Sequence, residues 1–594
     1  MEETEAMAEQ PIEDWTQIPW RKLEQHVYRL QKRIYKASCR GNVKAVHSLQ
    51  RLLMKSQAAR TLAVRRVTQD NQGKKTAGVD GIKSVRPEHR PFLVERLRNP
   101  ATIKPQPVRR VYIPKPGKSE KRPLGIPVML DRAHQALVKL ALEPEWEARF
   151  EANSYGFRPG RSAHDAMVRI LTLIGQKSKF ILDADIKGCF DNIEHTALLD
   201  KLQTFPALRQ TIKGWLKAGA FSDGKLILST QGTPQGGVIS PLLTNAALHG
   251  LETTVKATTG ADLVRYADDF VCFHPTREGI DAAQQVAEKW LGAMGLKLHP
   301  DKTRIVHTLE AIEGRTGCDF LGFSIRQYRR GQYRCARSSK GKPLGFKTLI
   351  KPSKEATKRH VDQLGKIIRN HRSAAQRDLI DNLNPIIRGW SNYYRTMVAT
   401  GTFSLCDHLV MDMLLRWAKR RHPRKTGGWV MPKYWRRRGN RKWCFTAPDG
   451  NHLALHAATL IKRHVKVRGV ASPYDGHLLY WGQRLHNHPL TGSYLAQSLK
   501  RQEWRCAECG LLFRDGDVIE IDHIQPTVKG GTDIAFNRQA IHRHCHDRKT
   551  ARDGSYDSHR QRGIDDKRPH NRGAGYGETH TSGSGEQRHR QLCR

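Results

Sequence analysis

Leu263-Val-Arg-Tyr-Ala-Asp-Asp-Phe-Val-Cys-Phe273 sets two adjacent acids, Asp268 and Asp269, between two apolar runs. Aromatic and β-branched residues on either side of a short polar break read as a hairpin with the acid pair at its turn. A second apolar run, Phe180-Ile-Leu-Asp-Ala-Asp-Ile186, has Asp183 and Asp185 set into it and is bounded by Gly188. An ionised carboxylate in a buried strand is expensive unless it is paired or coordinates a metal. Two strands that present acids to one point can hold two Mg2+ ions about 3.5–4 Å apart, which activate an attacking hydroxyl and stabilise the leaving oxygen. That chemistry calls for hard oxygen ligands rather than thiolates or imidazoles.

Outward from these runs, residues 108–346 alternate strand-like segments (109–113, 180–186, 263–273) with helix-like ones (132–150, 281–294), which predicts an α+β fold. Residues 15–69 read as two basic amphipathic helices, with Val27, Leu30, Ile34 and Leu49, Leu52, Leu53 as their apolar stripes. Residues 349–422 read as helical, with Leu364, Ile367, Ile368 and Leu379, Ile380, Leu383 at helical spacing. Residues 416–442 hold 12 Lys or Arg and no acid, interleaved with Trp417, Trp429, Tyr434 and Trp435, a mixture suited to backbone phosphates and exposed bases. The end, 553–594, is Gly, Ser, His and Arg with almost no apolar residues, the composition of a disordered tail.

Across the 594 residues, 102 Lys and Arg face 57 Asp and Glu, a net charge of +45. An imbalance of that size pushes a compact chain apart unless a polyanion neutralises it, so nucleic acid is the expected partner. An anionic membrane surface is the weaker reading, because no run of about 18 apolar residues occurs. The first ten residues are acidic and lack the regions of a signal peptide. The 11 cysteines are mostly scattered singly, which suits a reducing, cytosolic setting. The exceptions are Cys506, Cys509 and Cys545.

The acid runs do not stand alone. Arg122-Pro-Leu-Gly-Ile-Pro127, Ser154-Tyr-Gly-Phe-Arg-Pro-Gly-Arg-Ser162, Asp185-Ile-Lys-Gly-Cys-Phe-Asp191, Gly232-Thr-Pro-Gln-Gly-Gly237, Tyr266-Ala-Asp-Asp269, residues 295–303 and Phe320-Leu-Gly-Phe323 follow in order, preceded by Thr76-Ala-Gly-Val-Asp-Gly81. This series resembles the reverse transcriptases encoded by group II introns, and the resemblance runs over roughly residues 15–552. It implies a right-hand-like polymerase of fingers and palm, with Asp185, Asp268 and Asp269 as ligands of two Mg2+. Asp185 is preferred to Asp183 because Phe190 then lies where the family has the aromatic that screens against a ribose 2′ hydroxyl. Lys115 and Arg122 would hold the triphosphate of an incoming dNTP, and Gln235, in a Gly-rich turn, would contact nucleotide or template. Lys302 would protonate the pyrophosphate, or is a plain surface lysine. Farther on, Lys351-Pro-Ser-Lys354, Asn384-Pro-Ile-Ile-Arg-Gly-Trp-Ser-Asn-Tyr-Tyr394 and the basic stretch resemble the family's helical thumb and maturase region, which implies gripping group II intron RNA and assisting its splicing. Trp390, Tyr393 and Tyr394 read as thumb core more readily than as base-stacking platforms.

Cys506-Ala-Glu-Cys509 and His542-Arg-His-Cys545 are two pairs with ligand spacing, able to close a tetrahedral Zn2+ site in a module too small for much core. With Ile521-Asp-His-Ile-Gln-Pro526, Gly530-Gly531, Asn537 and His546, this segment resembles the HNH endonucleases, a small ββα-metal zinc module. Relatives often carry cysteine where His542 stands, and His544 is an alternative ligand. The resemblance makes His523 the general base, Asp522 and His546 the ligands of a single Mg2+, and Asn537 a residue that orients His523 or its loop. The expected organisation is 1–85 helical extension and start of fingers, 86–346 fingers and palm, 347–440 thumb and maturase, 441–500 DNA-binding segment, 501–553 endonuclease and 554–594 basic tail. Such a protein would copy RNA into DNA, assist splicing and nick target DNA, in a bacterial cytoplasm on intron RNA and nucleoid DNA. The rivals are a splicing factor with a dead polymerase, another class of reverse transcriptase and a stand-alone nuclease.

Overall fold

The computed structural model describes residues 12, 14–114, 121–222, 224–514 and 516–553. The acid-bearing runs become neighbouring strands of one antiparallel sheet, ordered Asp262–Tyr266, Asp269–His274, Phe180–Asp185, Arg304–His307. Side chains alternate between the two faces of a strand, and here both faces are covered. Leu182, Leu263, Phe270 and Cys272 join one core with Ile280, Ala283 and Ala287 of the helix Arg277–Gly292. Ile181, Val264, Val271 and Phe273 join another, with Met167 and Ile170 of the helix Ala163–Ile174 and Phe323 and Ile325 of a second sheet. Burial on both sides explains why these strands read as continuous apolar runs rather than alternating ones.

Three helices, Trp20–Cys39, Val43–Lys55 and Gln57–Arg65, followed by a π-helical turn at Arg66–Asp70, stand where two helices were expected. Ser56 takes an extended conformation that ends the second helix and starts the third, a break that periodicity does not register. Val27, Leu30, Ile34 and Leu53 are buried, but Leu52 is 52% exposed, so the second stripe runs through Val46 and Leu53 instead. These helices pack on Met129–Arg149, which is buried along nearly its whole length. Beside them lies a four-stranded sheet, Lys121–Ile126, Val108–Pro114, Ala220–Ser222, Lys225–Ile227.

The strand Phe346–Pro352 belongs to a three-stranded sheet with Phe323–Arg329 and Cys318–Phe320, so helix begins at Lys354 rather than at 349. Pro352 disfavours a helical residue before it, and Ser353 caps the helix by accepting from the Ala356 amide at 3.1 Å. Two further helices follow, Gln376–Tyr394 and Thr400–Arg421. Trp390 and Tyr394 are buried, and Tyr394 meets Phe323 edge-on at 4.9 Å. The aromatics of the basic stretch depart from expectation. Trp417, Tyr434 and Trp435 are buried against Phe445 of the hairpin Trp435–Arg438/Arg441–Phe445, and Trp429 alone of the four is exposed, at 41%. Indole and phenol rings hold more stabilisation packed together than hydrated, so the cations of that stretch face solvent while most of its rings do not.

Residues beyond the hairpin return to the helix Ala163–Ile174. The buried Asp165 carboxylate accepts from His464 Nε2 (3.0 Å), the Val467 amide (2.8 Å) and Arg484 Nη2 (3.1 Å). Trp481 is buried there, so close to Gly160 that a side chain at 160 would overlap its ring. Among the described residues no helix is long and apolar enough to cross a membrane. The tail 554–594 and the first ten residues lie outside the described residues.

Against the burial that would raise it, the His464 hydrogen bond and the Arg484 charge hold the Asp165 carboxyl well below its ordinary value. A carboxylate of lowered pKa contributes stability above its unfolded value and loses it as pH falls through the folded one. Asp165→Ala is therefore expected to cost about 3–5 kcal/mol, the scale for leaving a buried charge unpartnered. Urea melts at pH 7 would show the cost, and it should shrink below about pH 4, where the unfolded carboxyl begins to hold its proton.

Candidate active sites and metal centre

The hairpin closes through Ala267 and Asp268, and Ala267 sits at φ +58°. A positive φ at the first central position of a two-residue turn is the place for glycine, so surrounding contacts must hold an alanine there. Three are visible. Arg265, itself almost wholly buried, donates from Nη1 to Ala267 O (3.1 Å) and to Asn245 Oδ1 (2.9 Å). Asn245 Nδ2 donates to Gly156 O at 2.8 Å. Gly156 lies so near the turn that a Cβ would overlap the Ala267 amide. The turn carrying Asp268 thus rests on a buried strut.

Asp185 lies directly opposite Asp269 in the strand register. Burial raises the Asp268 carboxyl to about 6, with the Asp185 charge adding to it. Burial also pushes Asp269 well above its ordinary value, followed by the charges of Asp268, Asp185 and Asp183. Asp183 rises to about 7 through burial, despite Arg304. Among the described residues, Asp268 Oδ1 is buried with no hydrogen-bond partner. Oxygens crowded together, mutually repelling and one of them orphaned, fit divalent cations. Lys302 Nζ donates to Asp185 Oδ2, and the charges of Arg122 and Lys302 both reach Asp268.

Gln235 lies in a loop wedged between strand and turn: its carbonyl accepts from the Gly125 amide at 2.5 Å, and the Thr233 amide donates to Phe190 O at 2.5 Å. Gly236, at φ +110°, passes so close to Gly125 that a side chain would collide with its carbonyl. Gln235 Oε1 is buried and has no partner among the described residues. Phe190 is buried in the core that also holds Tyr266 and Ala267, edge-on to Phe157 at 6.3 Å. Lys115 lies outside the described residues.

In the C-terminal module, Cys506, Cys509, His542 and Cys545 bring one ligand atom each within 4.8 Å of one another. His542 Nδ1 is 3.4 Å from Cys509 Sγ while its Nε2 lies 3.3 Å from Asp517 Oδ2. One ring nitrogen therefore faces the thiols and the other a carboxylate, the arrangement that fixes a metal-binding imidazole. His544 is outside the cluster, with Nε2 at 3.9 Å from Glu24. Three thiols and an imidazole are a donor set for Zn2+.

The strands Ile519–His523 and Arg538–His542 pair antiparallel, and the helix Arg543–Arg552 follows. Asp522 Oδ1 lies 3.5 Å from His546 Nε2, and His546 Nδ1 lies 2.8 Å from Glu520. Hydrogen bonds to Asp522 and Glu520 raise His546 to about 10. Lys549 Nζ pairs with Asp522 Oδ2 at 3.0 Å. Two carboxylates around one imidazole offer the oxygen and nitrogen donors a single divalent ion takes. His523 Nε2 meets Asp533 Oδ1 at 3.0 Å. Asn537 touches the loop after His523 rather than its ring. It accepts from the Gln525 amide (2.9 Å) and donates to the carbonyls of Gln525 (3.0 Å) and Thr532 (2.8 Å).

Sequence reasoning missed Arg265, Asn245, Asp517, Glu520, Asp533 and Lys549. Only Arg265 left a signal, because a lone charge inside an apolar strand invites the question asked of the aspartates.

Reverse transcriptase (RNA-dependent DNA polymerase) is the family profile that residues 113–325 match, with the N-terminal domain of reverse transcriptase at 15–97. The group II intron maturase-specific domain matches 357–435, and HNH endonuclease matches 506–552. Protein YkfC of Escherichia coli is 31% identical over 322 residues, 45% of this chain and 81% of that protein. Group II intron-encoded protein LtrA of Lactococcus lactis is 34% identical over 250 residues, 41% of this chain. Maturase-like protein 1 of Euglena gracilis is 29% identical over 316 residues, covering 52% of this chain and 64% of that protein. A reverse transcriptase fold joined to a maturase domain and a nuclease module defines the class. The chain belongs to the group II intron-encoded proteins. The matched region spans 38% of the length of the Lactococcus relative.

Arg265→Gln removes the strut while leaving every acid in place. Primer extension by this variant should fall about 100-fold, the scale of a small misplacement of reacting groups, and it should need more Mg2+ for half-maximal rate. Steady-state extension assays across a Mg2+ series check both.

Proposed function

We propose that this protein copies RNA into DNA at Asp185, Asp268 and Asp269, helps its own group II intron RNA to splice, and nicks target DNA with the module at 506–552. The observation that carries the reading is the register of Asp185 opposite Asp269, with an Asp268 oxygen beside them that has no partner among the described residues. Two Mg2+ held there would lower the pKa of a primer 3′ hydroxyl and stabilise the departing pyrophosphate. The chain's residues do the rest. Lys115 and Arg122 hold the triphosphate of the dNTP, Gln235 contacts the nucleotide or template from its wedged loop, and Phe190 closes the space a ribose 2′ hydroxyl would need. Lys302, paired with Asp185, is stationed to give the pyrophosphate its proton.

In the nuclease, His523 takes the proton of the attacking water while Asp533 holds its ring. Asn537 fixes the loop that carries it. Asp522 and His546 would hold one Mg2+ at the scissile phosphate, and Zn2+ on Cys506, Cys509, His542 and Cys545 would hold the module's fold. The exposed cations at 436–438 supply phosphate contacts for intron RNA, and 441–500 is the DNA-binding segment. The ribonucleoprotein nicks one DNA strand, and the new 3′ end primes copying of the intron.

Asp268→Asn is expected to reduce cDNA synthesis by about 10²–10³-fold or more, the scale of losing one electrostatic stabiliser of a transition state. Intron RNA binding should stay within about twofold. Undiminished extension by the purified variant would defeat the assignment. His523→Ala should lose nicking and keep its zinc. A fall in zinc content, read by metal analysis, would make His523 a structural ligand instead.

A further inference from the structure

The C-terminal module does not stand free of the polymerase. Glu24, on the first helix and 3% exposed, accepts from Arg65 Nη2 and from Arg514 Nη2, each at 2.8 Å. Arg65 belongs to the same N-terminal helices, whereas Arg514 is 490 residues away in the C-terminal module. The Arg514 guanidinium also lies over the Tyr28 ring at 5.1 Å. From Arg514 the contacts run inward. Its amide donates to Asp517 Oδ2 at 2.6 Å, and the same oxygen lies 3.3 Å from His542 Nε2, whose other nitrogen faces the thiols. His544, between His542 and Cys545, sits 3.9 Å from Glu24 and 5.9 Å from the Trp20 ring. Around this line, Gln69 Nε2 donates to Asp547 at 2.5 Å and Arg543 Nη1 donates to Asp70 O at 2.9 Å.

A buried carboxylate that two guanidiniums share is costly to uncover, because losing it leaves cations without a partner. Residues behind a metal-binding imidazole set its orientation and affinity. We propose that the first helix of the polymerase completes the outer shell of the zinc centre: Glu24 is a positioning residue, acting through Arg514 and Asp517 on His542, and it couples retention of the nuclease metal to docking on the polymerase. The inference rests on the zinc reading above. Its consequence is that the nicking site is held at a fixed place relative to the polymerase site, so the new 3′ end is released beside the enzyme that extends it.

The test uses the full chain loaded with Zn2+, and follows zinc release to a chromogenic chelator alongside primer extension. Glu24→Gln should release zinc about 10–100-fold faster, the range for outer-shell substitutions, while extension changes less than twofold. Arg29→Ala, on the exposed face of the same helix, should release zinc as the parent does. Arg514→Gln breaks the line from the module's side, and Glu24→Gln added to it should speed release no further. Unchanged release by Glu24→Gln, or effects of the two substitutions that multiply, overturns the coupling. If Glu24→Gln fails to fold, the Arg514→Gln protein decides: release at the parental rate overturns the proposal, and release about 10-fold or more faster supports it. A parent chain that binds no zinc would instead refute the zinc reading itself.

Discussion

Crowding of carboxylates at one end of a buried sheet is the constraint on which the rest of the polymerase half depends. Asp185 and Asp269 face each other across neighbouring strands, with Asp183 and Asp268 within reach of their charge. Asp183, Asp268 and Asp269 are each pushed toward the protonated form by burial first, with like charge adding to it. Such a cluster opposes folding unless other interactions exceed its repulsion. The two apolar cores on either side of the sheet offset it, and divalent ions bound as proposed above would relieve it further.

Holding those oxygens in place takes more than the strands. The hairpin turn puts an L-residue, Ala267, into left-handed backbone, which costs about 1–2 kcal/mol. Gly156, Asn245 and Arg265 come from three separate segments to fix it. The glycine is needed because backbone touches backbone there, and the arginine because the carbonyl of a strained turn must find a donor without water. Close backbone approach recurs at Gly236, which lets the Gln235 loop lie on Gly125.

The C-terminal module shows a different economy. It is small, with a core of about one layer around Leu499, Phe513, Ile541 and the cysteines, and it leans on the N-terminal helices through Glu24, Gln69 and Asp70. Buried charges of this kind are costly unless most of them find partners. A chain of net charge +45 gains from keeping such buried carboxylates between its basic surfaces, since each one neutralises arginines that would otherwise repel.

Local pattern carried a good deal of this. The acid runs, the hairpin, the α+β class and the cysteine pairs are legible because burial, period and ligand spacing act over a few residues. The extra break at Ser56, the exposed Leu52, the strand through Pro352 and the inward turn of Trp417, Tyr434 and Trp435 were not, because each is decided by what packs against it. The choice between His542 and His544 belongs to the same group: both fit the spacing, and the fold places one beside the thiols and the other beside Glu24. Composition and motif thus determined the chemistry available, since side-chain type travels with the chain. Partnership was decided only in three dimensions, where Arg265 meets Asn245, Asp533 meets His523 and Glu24 meets Arg514. Those pairs lie from 10 to 490 residues apart, and no local rule relates groups that only folding brings within hydrogen-bond range.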